Sequence, residues 1–468
     1  MTLLEPVAIP SLKEFGQVHF IAIGGAGMSG IAAAYLRAGL VVTGSDQADS
    51  AALRALDQAG AQVWVGHDPS HVRGADAVVV STAIRQDNPE LVEARREGLP
   101  ILHRSVALAA LTVGQTVVSV AGTHGKTTTT AMCVCGLRGA GGDPSFVVGG
   151  VVLGLDTGSH LGADHQFIIE ADESDGTFLQ YPTTVAVVTG IDADHLDNWG
   201  TTQAYARGFE RFTTGQTVTQ VILNADDPGA ASLGQFLREQ GRTVMTYGRG
   251  HQCDVRLVDI ELSGEGGVCD LVSEDWTVRL MVGVPGVHNL YNAAAAVCVG
   301  EVLGADRSGV LAGIAGFRGT ARRFEPRGTV AGVTVVDDYA HHPTEVAATI
   351  AAAREVVGSG RLIVCFQPHL FSRTRMFSAQ FGQVLAQADL VVVLDVYPAR
   401  EAPIPGVTGQ LVVDAVREAG GDVVYAPGLD EAAAVVARAV RPSDLVLTVG
   451  AGSITTLGPM ILDLVGRS

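Results

Sequence analysis

The stretch VVSVAGTHGKTTTT, residues 117–130, decides how this chain is read. A short apolar run with strand character ends in a glycine-bearing loop, and a helix-like stretch starts near Thr128. Such a loop wraps phosphate oxygens with backbone N–H groups, while Lys126 reaches the β- and γ-phosphates and the Thr127 hydroxyl ligates magnesium. The spacing departs from the common GxxxxGK[ST] form, because Val120 stands where the earlier glycine is expected. The lysine restores the specificity: Lys13 and Lys126 are the only lysines, so 31 − 2 = 29 of the basic residues are arginine. A chain that uses arginine for generic positive charge keeps a compact ammonium here for a reason.

Outward from this loop, short apolar runs alternate with longer amphipathic stretches, the pattern of βα units in parallel sheets. Strand-like runs lie at 18–24, 77–82, 117–122, 167–172, 185–190, 220–226, 333–338, 361–367, 390–397 and 444–452. Seven of the ten end in Gly or Asp, at the edge where open α/β sheets place ligands. With roughly 150 residues per domain as a guide, 468 residues suggest three blocks. They run over 1–112, 113–324 and 325–468, with an antiparallel excursion expected between 250 and 285.

A second glycine loop, GAGMSG at 25–30, follows the first strand-like run and opens a helix-like stretch. Its glycines allow close approach to a diphosphate at a helix N-terminus, and Asp46 follows about twenty residues on, where dinucleotide enzymes bind a ribose hydroxyl. Alone it reads as a nicotinamide-dinucleotide loop or as a tight turn with no ligand. Acidic runs stand after two successive strands: Glu170, Asp172, Glu173 and Asp175, then Asp192, Asp194, His195 and Asp197. One such run is a solvated loop; two beside a phosphate loop favour a magnesium site. A third group, DDYAHHPTE (337–345) and FQPHLFSRTR (366–375), gathers His341, His342, His369, Arg373 and Arg375, suited to carboxylate or phosphate recognition.

The charge sum, 31 − 49 = −18, argues against nucleic acid as a partner. Six cysteines make no disulfide framework, which suggests a reducing compartment. The first residues show no signal-peptide pattern and no run approaches a bilayer span, so the expectation is a cytoplasmic protein with no membrane partner.

GGAGMSGIA, AGTHGKTTTT, EADESD, DADHLD, HNLYNAAAA (288–296), RRFE (322–325), DDYAHHPTE, FQPHLFSRTR and DVYPAREAPIPGVTG (395–409) together resemble the Mur ligase family, in order and across nearly the whole chain. The resemblance implies an α/β protein of three domains: a Rossmann-like UDP-sugar domain, a central P-loop ATPase-like domain and a C-terminal Rossmann-like domain. It implies ATP-dependent ligation of L-alanine to the lactyl carboxylate of UDP-N-acetylmuramate, with Mg2+, in peptidoglycan synthesis. A monomer or weak dimer is expected. Carried over by position, Gly25, Ala26, Gly27, Met28, Ser29, Gly30, Asp46, Ser81 and Thr82 bind the UDP sugar rather than NAD. Gly122, Thr123, His124, Gly125, Lys126, Thr127, Thr128, Asn292, Arg323 and Asp338 bind ATP. Thr127, Glu170 and His195 hold the metal, and His341, Arg373 and Arg375 hold the amino acid, with Lys126, His195 and Arg373 catalytic. Two departures stand out: Gly190 where the family often has Asn, and Trp199 where Tyr or Phe is commoner. Some relatives use a carbamylated lysine, and this chain has no third lysine to supply one.

The implied chemistry is activation of a carboxylate as an acyl phosphate, then attack by the alanine amine, with His195 or Asp194 as alternatives for the base. Competing readings are a nicotinamide dehydrogenase, a nucleotide-regulated binding protein, and, within the family, the recycling ligase that adds a murein peptide to the same sugar.

Overall fold

A computed structural model describes residues 3–399 and 401–467, Ala26 and Asp197 by backbone alone. Arg400, in the stretch 395–409, lies outside the described residues. Three sheets are present, and the chain divides into two compact units. The first comprises Met1–Val258, Asp270–Leu280 and Tyr291–Phe317; the second comprises Asp259–Cys269, Met281–Leu290 and Arg318–Ser468.

The first unit opens with a five-stranded parallel sheet in the spatial order Gln62–Val65, Val41–Asp46, Gln17–Ile21, Ala77–Val80 and Ile101–His103. Chain order reverses across Gln17–Ile21, and the crevice beyond the strand ends at such a reversal is where these sheets bind ligands. The glycine loop leaves the first strand there and becomes the helix Ala26–Arg37. That helix buries Tyr35 against Phe20, edge to face at 5.4 Å, and the Tyr35 hydroxyl donates to the Ala107 carbonyl at 2.9 Å. Fully burying one such side chain stabilises by roughly 1.5–3 kcal/mol.

The parallel body of the second sheet runs Val244–Gly248, Gln220–Asn224, Val185–Val188, Thr116–Ala121, Gln166–Glu170 and Ser145–Val152, with Thr157–His160 antiparallel at its edge. Its strands are covered on both faces, which is why they read as continuous apolar runs rather than alternating ones. The strand under the phosphate loop, Thr116–Ala121, lies between Gln166–Glu170 and Val185–Val188. The two acidic runs therefore flank the loop from either side. The helix begins at Lys126, two residues before the sequence-based start. The segment expected to be antiparallel forms three strands, Val255–Ser263, Gly266–Val272 and Thr277–Val282, whose residues are shared between the units.

The third sheet, in the second unit, is ordered Glu325–Val330, Val333–Asp338, Leu445–Val449, Leu362–Phe366, Leu390–Val393 and Val423–Tyr425. Only its first pair is antiparallel. Among the described residues no helix is long and apolar enough to cross a membrane.

Candidate active site

Gly125 caps the helix Lys126–Gly139 at φ +81, a left-handed conformation that favours glycine. A Cβ there would meet Asn292 Oδ1 at 2.7 Å, and Thr129 Oγ1 donates to that same oxygen at 3.1 Å. Asn292 thus lies against the phosphate loop. Lys126 Nζ bends back onto the loop, donating to the Gly122 carbonyl at 2.7 Å and the Thr123 carbonyl at 3.3 Å, and pairs with Glu173 at 2.9 Å. Burial alone would lower the affinity of this ammonium for its proton; the Glu173, Asp172 and Glu170 carboxylates outweigh burial and hold it above the ordinary lysine range.

In the sequence Glu173 is one acid of a cluster, with nothing local to set it apart from its neighbours. The fold makes it the hub of the loop. Its side chain is fully buried; Tyr205 donates its hydroxyl to Oε1 at 3.3 Å, Trp199 Nε1 donates to its carbonyl at 2.9 Å, and His195 Nε2 lies 3.8 Å from Oε1. Burial of a whole carboxylate depends on tertiary packing, so no spacing rule could mark it. Glu170, at the end of its strand, accepts from Thr127 Oγ1 at 2.9 Å and from the Gly149 amide at 2.7 Å. His195 sits at φ +54, a strained position for a non-glycine residue that costs roughly 1–3 kcal/mol, with Nε2 3.5 Å from Asp194 Oδ2. Thr123 Oγ1 accepts from the Asp192 amide at 2.9 Å and lies 2.8 Å from the Tyr205 hydroxyl. His124 Nε2 is 3.6 Å from Asp192 Oδ2, and Thr128 is half-buried in the helix's first turn. The hard oxygens of Thr127, Glu170 and Glu173 beside a lysine phosphate loop suit a magnesium nucleotide.

Both departures have local explanations. At Gly190 a Cβ would meet Asp227 Oδ2 at 3.0 Å, and Asp227 Oδ1 accepts from the Ile191 amide at 2.9 Å, so an aspartate from the next strand's end occupies that space. Trp199 packs onto Gly208, where a Cβ would come within 2.4 Å of the indole. The larger ring is matched by a missing side chain.

At the first sheet's edge, Gly25 caps the helix Ala26–Arg37, Met28 is buried, and Gly30 packs on Ser159. Gly27 packs under the Arg104 guanidinium, and Ser29 lies in the same first turn. Asp46 Oδ2 accepts from the Gly24 amide at 2.9 Å. Ser81 and Thr82 are half-buried in the turn after Ala77–Val80, the strand across the crevice.

In the second unit Asp338 accepts from the Phe324 amide at 2.7 Å and the Ala340 amide at 2.8 Å, and burial pushes its carboxyl up to about 6 despite the pull of Arg323. Arg323 stacks over Tyr339, 5.1 Å from the ring centre. The His341 ring meets His369 edge to face at 5.8 Å; burial pushes it down to about 3, so it is neutral near pH 7. Arg373 is buried in the first turn of Phe371–Leu385 and close enough to act on His341 electrostatically. Arg375, two residues on, is exposed and points away from that cluster, as a 3.6-residue turn requires.

Three family models match in chain order: Mur ligase family, catalytic domain, at residues 17–116; Mur ligase middle domain at 120–300; and Mur ligase, glutamate ligase domain, at 322–452. The chain is 57% identical to UDP-N-acetylmuramate–L-alanine ligase of Cutibacterium acnes, covering 99% of both chains. It is 47% identical to the enzyme of the same name from Thermobifida fusca, covering 100% of both. Among solved structures, UDP-N-acetylmuramate-alanine ligase of Thermotoga maritima superposes with a TM-score of 0.81 at 28% identity, over 96% of this chain and 98% of that one. The loops, the sheet order and these likenesses lead to one conclusion: the chain belongs to the Mur ligase family.

Proposed function

We propose that the protein joins L-alanine to the lactyl carboxylate of UDP-N-acetylmuramate, using ATP and giving UDP-N-acetylmuramoyl-L-alanine, ADP and phosphate, for peptidoglycan synthesis in the cytoplasm. The observation that carries this reading is the Lys126 ammonium, held in a glycine loop at a helix N-terminus and backed by Glu173. The full-length likeness to ligases of that name supports it. We assign residues 1–112 to the UDP sugar, 113–324 to ATP and 325–468 to the amino acid, in a monomer or weak dimer.

A carboxylate is a poor acyl donor because oxide would have to leave. In the first step a lactyl oxygen attacks the γ-phosphorus and ADP departs; Lys126 follows the charge onto the transferring phosphoryl group, exchanging Glu173 for phosphate oxygens. Thr127, Glu170 and His195, with Glu173 beside them, are the residues that would hold magnesium, which supplies charge neutralisation when bound with ATP. In the second step the alanine amine attacks the acyl carbon, the C–N bond forms and phosphate leaves. His195 or Asp194 takes the amine proton. The amino acid's own carboxylate must be recognised without being activated, a task for the buried Arg373 with neutral His341; the exposed Arg375, on the opposite face of the same helix, takes no part in it. Gly25 to Gly30, Asp46, Ser81 and Thr82 hold the sugar nucleotide; Gly122 to Thr128, Asn292, Arg323 and Asp338 hold ATP.

ADP release with UDP-N-acetylmuramate, screened against L-alanine, glycine, L-serine and a murein tripeptide, tests the reading. Release dependent on L-alanine is expected. Release with the tripeptide alone would assign the recycling reaction instead, and none with any acceptor would refute ligation.

A further inference from the structure

No motif in the sequence marks Arg104. It opens the helix Arg104–Leu111 just after the strand Ile101–His103, at the same carboxyl edge of the first sheet as the glycine loop. Its guanidinium lies over the first turn of Ala26–Arg37: a Cβ on Gly27 would come within 2.7 Å of Nη1. Gly27 is therefore the residue that makes room for it. On the other side, Nη2 is 3.3 Å from Asp172 Oδ2, and among the described residues that carboxylate is its one hydrogen-bond acceptor.

The helix end, taken by itself, disfavours a cation. The first turn of a helix carries partial positive charge and unsatisfied N–H groups, so a guanidinium above it is repelled until an anion lies between the two. Asp172 does not fill that role alone, because it engages one nitrogen of the fork. Its Oδ2 meets only Nη2 of the guanidinium, and its Oδ1 accepts from the Ser174 amide at 3.0 Å. The guanidinium retains donors of its rigid fork for a further anion, and that fork matches phosphate geometry.

We propose that Arg104 is a binding residue for the diphosphate of the sugar nucleotide, its fork and the first-turn N–H groups of Ala26–Arg37 together taking the phosphate next to the sugar. The inference rests on the reading of the glycine loop as the sugar-nucleotide loop. The bland alternative is that Arg104 serves only to pair with Asp172 and fix the packing of the first two sheets.

UDP and UMP affinities, measured by calorimetry on the full chain, separate these, since the two ligands differ by the phosphate in question. Wild type should prefer UDP. Arg104→Ala should weaken UDP by roughly 10- to 100-fold, the size of one or two charge-assisted hydrogen bonds, and leave UMP nearly unchanged. Asp172→Asn should keep the UDP preference. Equal weakening of both ligands in Arg104→Ala, an unchanged ratio, or loss of the preference in Asp172→Asn as complete as in Arg104→Ala would overturn the proposal. Should Arg104→Ala fail to fold, Arg104→Gln, which keeps the stem and removes the charge, decides on the same ratio. A wild-type chain that binds neither nucleotide overturns the glycine-loop reading itself, and the arginine with it.

Discussion

Lys126 and Glu173 are two charges placed in a buried pocket before any nucleotide arrives, which is costly unless each answers the other. Removing one partner should then cost both activity and stability. Lys126→Ala is expected to abolish ADP release while leaving UDP-sugar affinity within about twofold, and to destabilise by roughly 3–5 kcal/mol through the orphaned carboxylate. Adding Glu173→Gln should recover most of the melting temperature and none of the turnover; recovery of turnover would mean that Lys126 is structural. Lys126→Arg should rescue poorly, because a planar fork does not replace a compact ammonium. Glu90 offers a second test at this scale. Its fully buried carboxylate accepts from Ser45 Oγ at 2.5 Å and lies 2.7 Å from His71 Nδ1, 3.2 Å from His67 Nδ1 and 3.5 Å from His19 Nε2. Burial opposes ionisation, but these partners hold the group at about 2 against an ordinary 4.5. A depressed carboxyl stabilises above its unfolded value and loses that contribution as pH falls through the folded one. The protein should therefore lose about 3 kcal/mol between pH 4.5 and 2 from this group, and Glu90→Gln should flatten that part of the acid-unfolding curve.

Among the elements, the helix Thr202–Thr213 shows how a local departure is absorbed. Its Tyr205, Phe209 and Phe212 face the core, while Gly208 lies under the Trp199 ring, whose Nε1 holds the Glu173 carbonyl. Gly208→Ala should push the indole off that carbonyl, destabilise by roughly 1–3 kcal/mol as overpacking does, and lower turnover. Trp199→Phe should relieve the clash, so the double variant should be more stable than Gly208→Ala alone. Purely additive losses in a double-mutant cycle would show that the pair does not communicate. At the same scale, apolar runs at 117–122 and 185–190 foretold strands because both faces are covered. Their ends came out shorter, at Ala121 and Val188, where the chain turns into the loops that carry the chemistry.

For the whole molecule, the proposed roles of two residues in different units give a prediction. Lys126 lies in the first and Arg373 in the second. In the proposed mechanism Lys126 serves the phosphoryl step and Arg373 the amide step. Arg373→Ala should keep positional-isotope exchange in ATP, measured with UDP-N-acetylmuramate and no alanine, near the wild-type rate while product formation falls by roughly a hundredfold or more. Loss of exchange as complete as loss of product would assign Arg373 to the phosphoryl step or to folding. What was legible in the residues alone was the order of βα units, the two phosphate loops and the clustering of acids and histidines at strand ends, because apolar period, glycine and a rare lysine are local signals. Even there the first glycine loop read equally well as a dinucleotide site, since a phosphate cradle does not record what is attached to the phosphate. Tertiary structure alone decided that the two acidic runs flank the phosphate strand, that Glu173 is buried against Lys126, that Arg104 lies over Gly27, and that Arg373 turns inward while Arg375 turns out. Burial, sheet order and the pairing of distant charges arise from residues far apart in the chain, and no window of sequence contains both partners.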